Sequence, residues 1–355
     1  MNTNYSLIHE ITNSASLIHV PEVDFHPSGD FFVVSYRDNN RLNVYDTKTY
    51  SLIRSYQNPS ACLSYPHAVN VTQNHIIISN KHNAVPNQPA SINVYSIHSK
   101  SSKPVFTMTT PMPHLSEAHS MATHNNKLLA TYCGENSSAV VTYEFDDDIG
   151  KITKPLSILE DWFIHNGKPK GIGFNEDHTK VFISVTKVER PPQKVLLKKI
   201  KNFLTEISAC LSGTRRNFSG IAVFDIDQEG VLSEQPISQT RDHDLLSSRE
   251  ENTVPTVSRI ENIKIAKHQC VMSDSINNKV YIHPIVNNSE LNINTTQTLS
   301  DAMQLPHGVA FSPDSKLLVV TNYGLKTEQG RVLWTQFTQP RSDSILIYST
   351  QETPL

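Results

Sequence analysis

A short apolar segment ending in Val or Ile and usually an aromatic residue occurs six times along the chain. No other feature constrains the fold as much. The copies are Leu42-Asn43-Val44-Tyr45, Ile92-Asn93-Val94-Tyr95, Val140-Val141-Thr142-Tyr143, Ile221-Ala222-Val223-Phe224, Val280-Tyr281-Ile282-His283 and Ile345-Leu346-Ile347-Tyr348. A second unit precedes each copy: a short apolar stretch, a polar turn and a β-rich run. These units span 21–36, 67–80, 119–132, 170–185, 261–274 and 307–322. Their starts are separated by 46, 52, 51, 91 and 46 residues. A four-stranded propeller blade takes about 40–50 residues, so the spacing predicts an all-β, six-bladed propeller.

The sixth unit shows the strands within a blade. Gly308 to Phe311 reads as strand a, Ser312-Pro313-Asp314-Ser315 as a turn, Leu317 to Thr321 as strand b and Ile345 to Ser349 as strand c. Pro fixes the backbone in such a turn and Asp bonds it locally. Runs such as Phe31-Phe32-Val33-Val34 and Ile76-Ile77-Ile78 are apolar throughout, as befits strands covered on both faces. We expect one domain over 1–355, with blades at about 21–57, 66–110, 118–162, 169–238, 260–300 and 306–349. The long interval is read as an insertion at 187–219. Tyr5-Ser6-Leu7-Ile8-His9 echoes Tyr50-Ser51-Leu52-Ile53-Arg54, so residues 5–11 are expected to complete the last blade and close the ring.

Composition excludes several classes. The net charge of −3 lacks the basic excess of a nucleic-acid binder. No run of 18 apolar residues predicts a transmembrane helix. The segment Met1-Asn2-Thr3-Asn4-Tyr5 has neither the basic nor the apolar region of a secretory signal, so a cytoplasmic location is expected. Cys62, Cys133, Cys210 and Cys270 form no CxxC pair and are expected to be buried thiols in a reducing compartment.

The residues that open strand a are Pro21, His67, His119, Lys170, Glu261 and His307. Equivalent positions of inner strands form a ring around a propeller's channel. Imidazoles with a carboxylate suit a divalent transition metal, so His67, His119, His307 and Glu261 are the candidate ligands for zinc, iron or manganese. Lys170 and Glu261 are the candidate acid–base groups. A metal-free polar pocket and a purely structural ring remain the alternatives. His26, His124, His178 and His268 fall in a-to-b turns at the opposite face and read as solvated.

Leu305-Pro306-His307-Gly308-Val309-Ala310-Phe311-Ser312-Pro313-Asp314 resembles a blade motif of the gluconolactonase and senescence-marker-protein (regucalcin) family, which has six blades. It is also similar to the usually seven-bladed lactonases with Tyr-Val-Thr-Asn repeats, a signature that Val319-Val320-Thr321-Asn322 resembles. Lys168-Pro169-Lys170-Gly171-Ile172-Gly173-Phe174-Asn175-Glu176-Asp177 repeats the motif. In the gluconolactonase-like family the residue between Pro and Gly can be a metal-binding Asn. The resemblance places His307 and Lys170 there, with His67 between Pro66 and Ala68. Imidazoles thus replace an oxygen set suited to calcium, which moves the preference toward transition metals.

The long connections, 81–90, 186–219, 239–257 and 323–343, fall at the end of the propeller that carries the ring, and long loops on one face are where binding usually happens. Pro191-Pro192, apolar residues at 196, 197, 200, 203, 204, 207 and 211, and Gly213 predict a helical insertion in blade 4 within 187–219. It is a cover for the top face, a substrate lid, a site for a protein partner or, given Lys194, Lys198, Lys199 and Lys201, a membrane-surface helix. Arg37, Asn80 and Asn322, at strand b ends, are candidate ligand-binding residues. Together these readings predict a small-molecule enzyme, a lactonase-like hydrolase or a lyase. The alternative is a non-catalytic propeller that binds a protein or peptide across its long-loop face.

Overall fold

The computed structural model describes residues 3–12, 19–81, 90–110, 115, 118–133, 138–187, 218–241, 259–275, 277–323, 327–328, 331–332 and 343–352. They form a six-bladed β-propeller. Blade 1 contains Val23–Phe25, Phe31–Tyr36, Arg41–Asp46 and Leu52–Gln57 as strands a to d. Blade 2 contains Pro66–Val71, His75–Asn80, Ser91–Ser96 and Phe106–Thr109. Blade 3 contains Ala118–His124, Lys127–Cys133, Ser138–Asp146 and Lys151–Leu159. Blade 4 contains Lys168–Phe174, Lys180–Lys187, Phe218–Asp225 and Ser238–Arg241. Blade 5 contains Ile260–Ala266, Gln269–Asp274 and Lys279–Val286, with Glu290–Leu291 and Gln297–Leu299 both paired to its third strand. Blade 6 contains Pro306–Phe311, Leu317–Asn322 and Ser344–Glu352, whose free edge pairs antiparallel with Thr3–Thr12.

The apolar runs of the b and c strands follow from packing on both faces. Alternate residues point to opposite sides of a strand. In blade 1, Val33, Leu42 and Val44 pack against Val69, Ile76 and Ile78 of blade 2. Phe32, Val34 and Tyr36 pack against Ala310, Val319 and Ile347 of blade 6. Every pair of neighbouring blades encloses such a buried cluster, so the core is six wedges rather than one centre.

One buried hydroxyl per blade shapes the inner strands. Ser35, Ser79, Thr131, Ser184, Ser273 and Thr321 occupy equivalent places in strand b and are fully buried. Each accepts a backbone N–H from strand a of its own blade or the residue just before it: Glu22, Ala68, Ser120, Gly171, Asn262 and Gly308 respectively. Four of them also donate to a carbonyl of the next blade's inner strand, at His67, Ala118, Lys170 and His307. The side chain stands in for a ladder bond, because the pairing of strands a and b shifts there in blades 2 to 6. Such bulges re-aim side chains and are frequent beside functional sites.

A short helix, Asp161–Asn166, joins blades 3 and 4 and was not expected from the sequence. Trp162 and Phe163 bury themselves against Phe224 and Val185, so packing rather than propensity holds six residues helical. The Gly167 N–H bonds the Phe163 carbonyl with φ at 140°, a backbone that favours glycine. The helix expected within 187–219 lies almost entirely outside the described residues, as does most of the other long connections. Cys62 is exposed, which corrects the expectation of a buried thiol; its φ of 52° holds it in a turn. Cys270 is buried in the blade 4–5 wedge. No helix among the described residues is long and apolar enough to cross a membrane.

Candidate metal centre

The bulges turn the first residues of the inner strands into the channel, and five of them meet there. His67, His119 and His307 are buried, and one ligand atom from each lies within 4.8 Å of the others. Two of the rings are oriented by the backbone. Nδ1–H of His67 donates to the His119 carbonyl at 3.0 Å, and Nδ1–H of His307 donates to the Pro21 carbonyl at 2.6 Å. A carbonyl only accepts, so Nε2 keeps its lone pair in both. This outer-shell arrangement is the usual support of a metal-binding imidazole. Nε2 of His119 accepts from Lys170 Nζ at 3.1 Å, and its Nδ1 has no hydrogen-bond partner among the described residues.

Glu261 is the acidic member of the ring. Arg259 Nε holds its Oε1 at 2.5 Å. Its Oε2 lies 3.4 Å from Lys170 Nζ, 3.5 Å from His119 Nε2 and 3.6 Å from His307 Nε2, and makes no hydrogen bond of its own among the described residues. Burial opposes its ionisation, but the charges of Lys170 and Arg259 outweigh burial and hold the carboxyl well below its usual range. The imidazoles are held neutral. Burial, reinforced by the other two histidines, keeps His67 far below the ordinary imidazole range. Burial and Lys170 do the same for His119 against the pull of Glu261. His307 is pushed down to about 4 by burial, with Glu261 opposing. Tyr323 stacks on His307 at 4.8 Å, and burial pushes its phenol far above the ordinary range.

This donor set fits a divalent transition ion: three neutral imidazoles, two already oriented, and an ionised carboxylate with an orphaned buried oxygen. Two nitrogens at 2.0–2.1 Å from one tetrahedral ion lie about 3.4 Å apart, so a pair at the 4.8 Å limit would have to close by about 1.4 Å on binding. Lys170 would release His119 Nε2 and keep Glu261 as its counter-ion.

The residue after each ring position builds a floor. Glu22 crosses the channel, and its Oε1 accepts from Ser120 Oγ and Asn262 Nδ2, both at 2.8 Å, while Oε2 accepts the Val69 N–H at 3.2 Å. One carboxylate thereby ties blades 1, 2, 3 and 5. Gly308 lets its strand approach this residue closely: a Cβ there would stand 2.7 Å from Glu22 Cα. Glu22 and Arg259 were not picked out from the sequence. Shifting the ring alignment by one residue yields Glu22, Ala68, Ser120, Gly171, Asn262 and Gly308, and this polar-and-small pattern was the available signal.

The other predicted residues fare differently. Arg37 sits at the mouth with its guanidinium over the Tyr65 ring, and its charge reaches His67. Asn80 and Asn322 are buried and do not reach the cluster. Their Oδ1 atoms accept the N–H of Ser64 and Gln304, and their amides bond Ser91 Oγ and the Ala302 carbonyl. Asp274 holds the Arg259 N–H in the same way, so a strand b terminus braces the incoming loop in three blades. His26 is buried, not solvated: it bonds Ser28 and the Gln73 carbonyl and stacks on Phe31. His124, half-buried, and His178, exposed, stack at 3.7 Å in a cleft of about 260 Å³, and His268, beside Glu176, is exposed as well.

No family model matches the chain, and no curated protein matches it in sequence. Its fold is shared with solved structures. A luciferin-regenerating enzyme superposes with a TM-score of 0.59 at 11% identity, over 99% of this chain and 98% of that one. The PQQ-bound aldose sugar dehydrogenase of Streptomyces coelicolor gives 0.57 at 11% identity over 99% of both chains. The calcium-binding protein regucalcin of Agrobacterium tumefaciens gives 0.54 at 10% identity over 98% and 97%. Such identities show the fold alone, and propellers host enzymes and binding modules alike.

Proposed function

We propose that the ring is the active centre of a metal-dependent small-molecule enzyme, a lactonase-like hydrolase or a lyase. The reading is carried by the convergence of His67, His119 and His307 beside the orphaned Oε2 of Glu261. His67, His119 and His307 would hold zinc, iron or manganese, with Glu261 as a fourth donor or as the anion that balances it. The bound ion would supply Lewis acidity toward a carbonyl oxygen or water.

The chain's own residues do the rest. Lys170 Nζ is the proton carrier: it stands on the channel wall within reach of both His119 and Glu261, and proton transfer needs that proximity. Arg259 fixes the carboxylate and keeps it ionised. The Glu22 layer closes the channel beneath the site, so substrate and water enter from the mouth. Residues 3–12 support the site from a distance by completing blade 6 and keeping the ring closed.

The test is a panel of lactones and uronides offered to metal-loaded protein. Lys170→Met should lower turnover by about 10²-fold or more, the usual range for losing an acid–base group, with metal content unchanged. Full turnover in that variant, or turnover indifferent to a chelator, would count against the reading.

A further inference from the structure

We infer that the mouth of the ring takes a substrate bearing a carboxylate, with Arg37 as its anchor; this rests on the reading of the ring as a small-molecule site. Among the described residues, Lys170, Arg37 and Arg259 surround the ring. Lys170 Nζ lies 3.1 Å from His119 Nε2 and Arg259 Nε 2.5 Å from Glu261 Oε1, while Arg37 bonds His19, whose ring meets Tyr323, the residue stacked on His307. Against them stand Glu261 within the ring and Asp38, whose Oδ2 lies 2.6 Å from His19 Nδ1. Among the described residues three positive charges face two negative ones, and a divalent ion held by the ring would add to the positive side, in a chain whose formal net charge is −3. A cleft with the opposite sign to its protein concentrates anions.

Arg259 is occupied by Glu261 and Lys170 by His119 and Glu261. Arg37 differs. Its side chain lies over the Tyr65 ring with Cζ 5.8 Å from the centroid, and its backbone N–H is tied to the His19 carbonyl at 2.8 Å. Its buried Nε has no hydrogen-bond partner among the described residues. A guanidinium held at its stem and by an aromatic face, with a donor unspent, is prepared for a planar two-oxygen anion. The flat fork of the guanidinium matches the two coplanar oxygens of a carboxylate.

The experiment compares D-glucuronate, its neutral methyl ester and glucose 6-phosphate by calorimetric titration. It uses wild type, Arg37→Gln and Arg37→Lys, each stripped of metal and again after zinc loading. Glucuronate should bind wild type at least tenfold more tightly than the ester. Arg37→Gln should bring that ratio to near one, and Arg37→Lys should leave it intermediate because the charge remains and the fork is lost. Unchanged melting temperatures and zinc content in the variants would exclude a folding defect. Equal binding of acid and ester by wild type, a ratio that survives Arg37→Gln, a preference for the phosphate, or no binding of any probe would each overturn the proposal. The two readings fail separately. An Arg37-dependent ratio in a protein that takes up no zinc would sink the metal site alone. A zinc-dependent ratio indifferent to Arg37 would sink this anchor alone.

Discussion

Gly171→Ala is expected to leave little folded protein. A Cβ at Gly171 would stand 2.3 Å from the backbone nitrogen of Ile263 and 2.8 Å from Cα and C of Asn262. These are backbone atoms of the next blade's inner strand, so no flexible side chain can give way. That strand is fixed in turn by the Ser273 hydroxyl and by the bond from Asn262 to Glu22. Overpacking a core usually costs about 1–3 kcal/mol, and a clash between two braced backbones should exceed that range. Gly173→Ala supplies the comparison, because its Cβ would meet Ile265 Cγ1 at 3.1 Å and the neighbouring backbone only at 3.3 Å. Denaturant midpoints should fall far more for Gly171→Ala than for Gly173→Ala. Equal midpoints would mean that the inner strands are not packed as closely as described.

The second large effect is a pH dependence rooted in Glu22. Burial raises this carboxyl from its ordinary 4.5 to about 7, against the lowering influence of Lys264, Ser120 and Asn262. The folded protein therefore keeps a proton that the unfolded chain releases near 4.5. Stability falls as pH rises wherever the folded state binds more protons, so wild type should lose stability between about pH 4.5 and 7. At about 1.4 kcal/mol per unit the loss is on the order of 3 kcal/mol. Glu22→Gln has the same shape and nothing to titrate. The buried histidines work in the opposite sense, because their folded values lie below 6.5, but they are common to both proteins and cancel in the difference. Metal-stripped wild type should thus lose ground to Glu22→Gln as pH rises from 4.5 to 7. Parallel stability curves would contradict the raised value.

The sequence exposed the architecture because each blade repeats one solution to one packing problem. The strand c copies, which end in Val or Ile and usually an aromatic residue, and the apolar runs of strand b are what two-sided burial between wedges requires. The ring was legible for a related reason: once the units align, Pro21, His67, His119, Lys170, Glu261 and His307 share one position. What lay hidden depends on contacts across the channel. Glu22 is a lone acid in a β-rich run, and only the closed ring shows that Ser120 and Asn262, 98 and 240 residues away, receive it. Arg259 gains its meaning only from the placement of Glu261. Asn80 and Asn322 misled because polar strand ends suggest a binding mouth, whereas the loop that enters the blade needs its N–H satisfied. His26 misled likewise, since a turn position says nothing of the neighbouring blade's Gln73 carbonyl.

The central claim is that the histidine ring holds a metal ion. The most direct measurement is elemental analysis of protein purified without a metal-affinity tag, stripped with chelator and dialysed against zinc, manganese or ferrous iron. The wild type should take up one ion per chain of at least one of these. A His67→Ala, His119→Ala, His307→Ala triple variant that keeps its β-sheet spectrum should take up none. Binding should weaken as pH falls, because protons compete for the imidazoles. Substoichiometric uptake by the wild type, or equal uptake by the triple variant, would contradict the account.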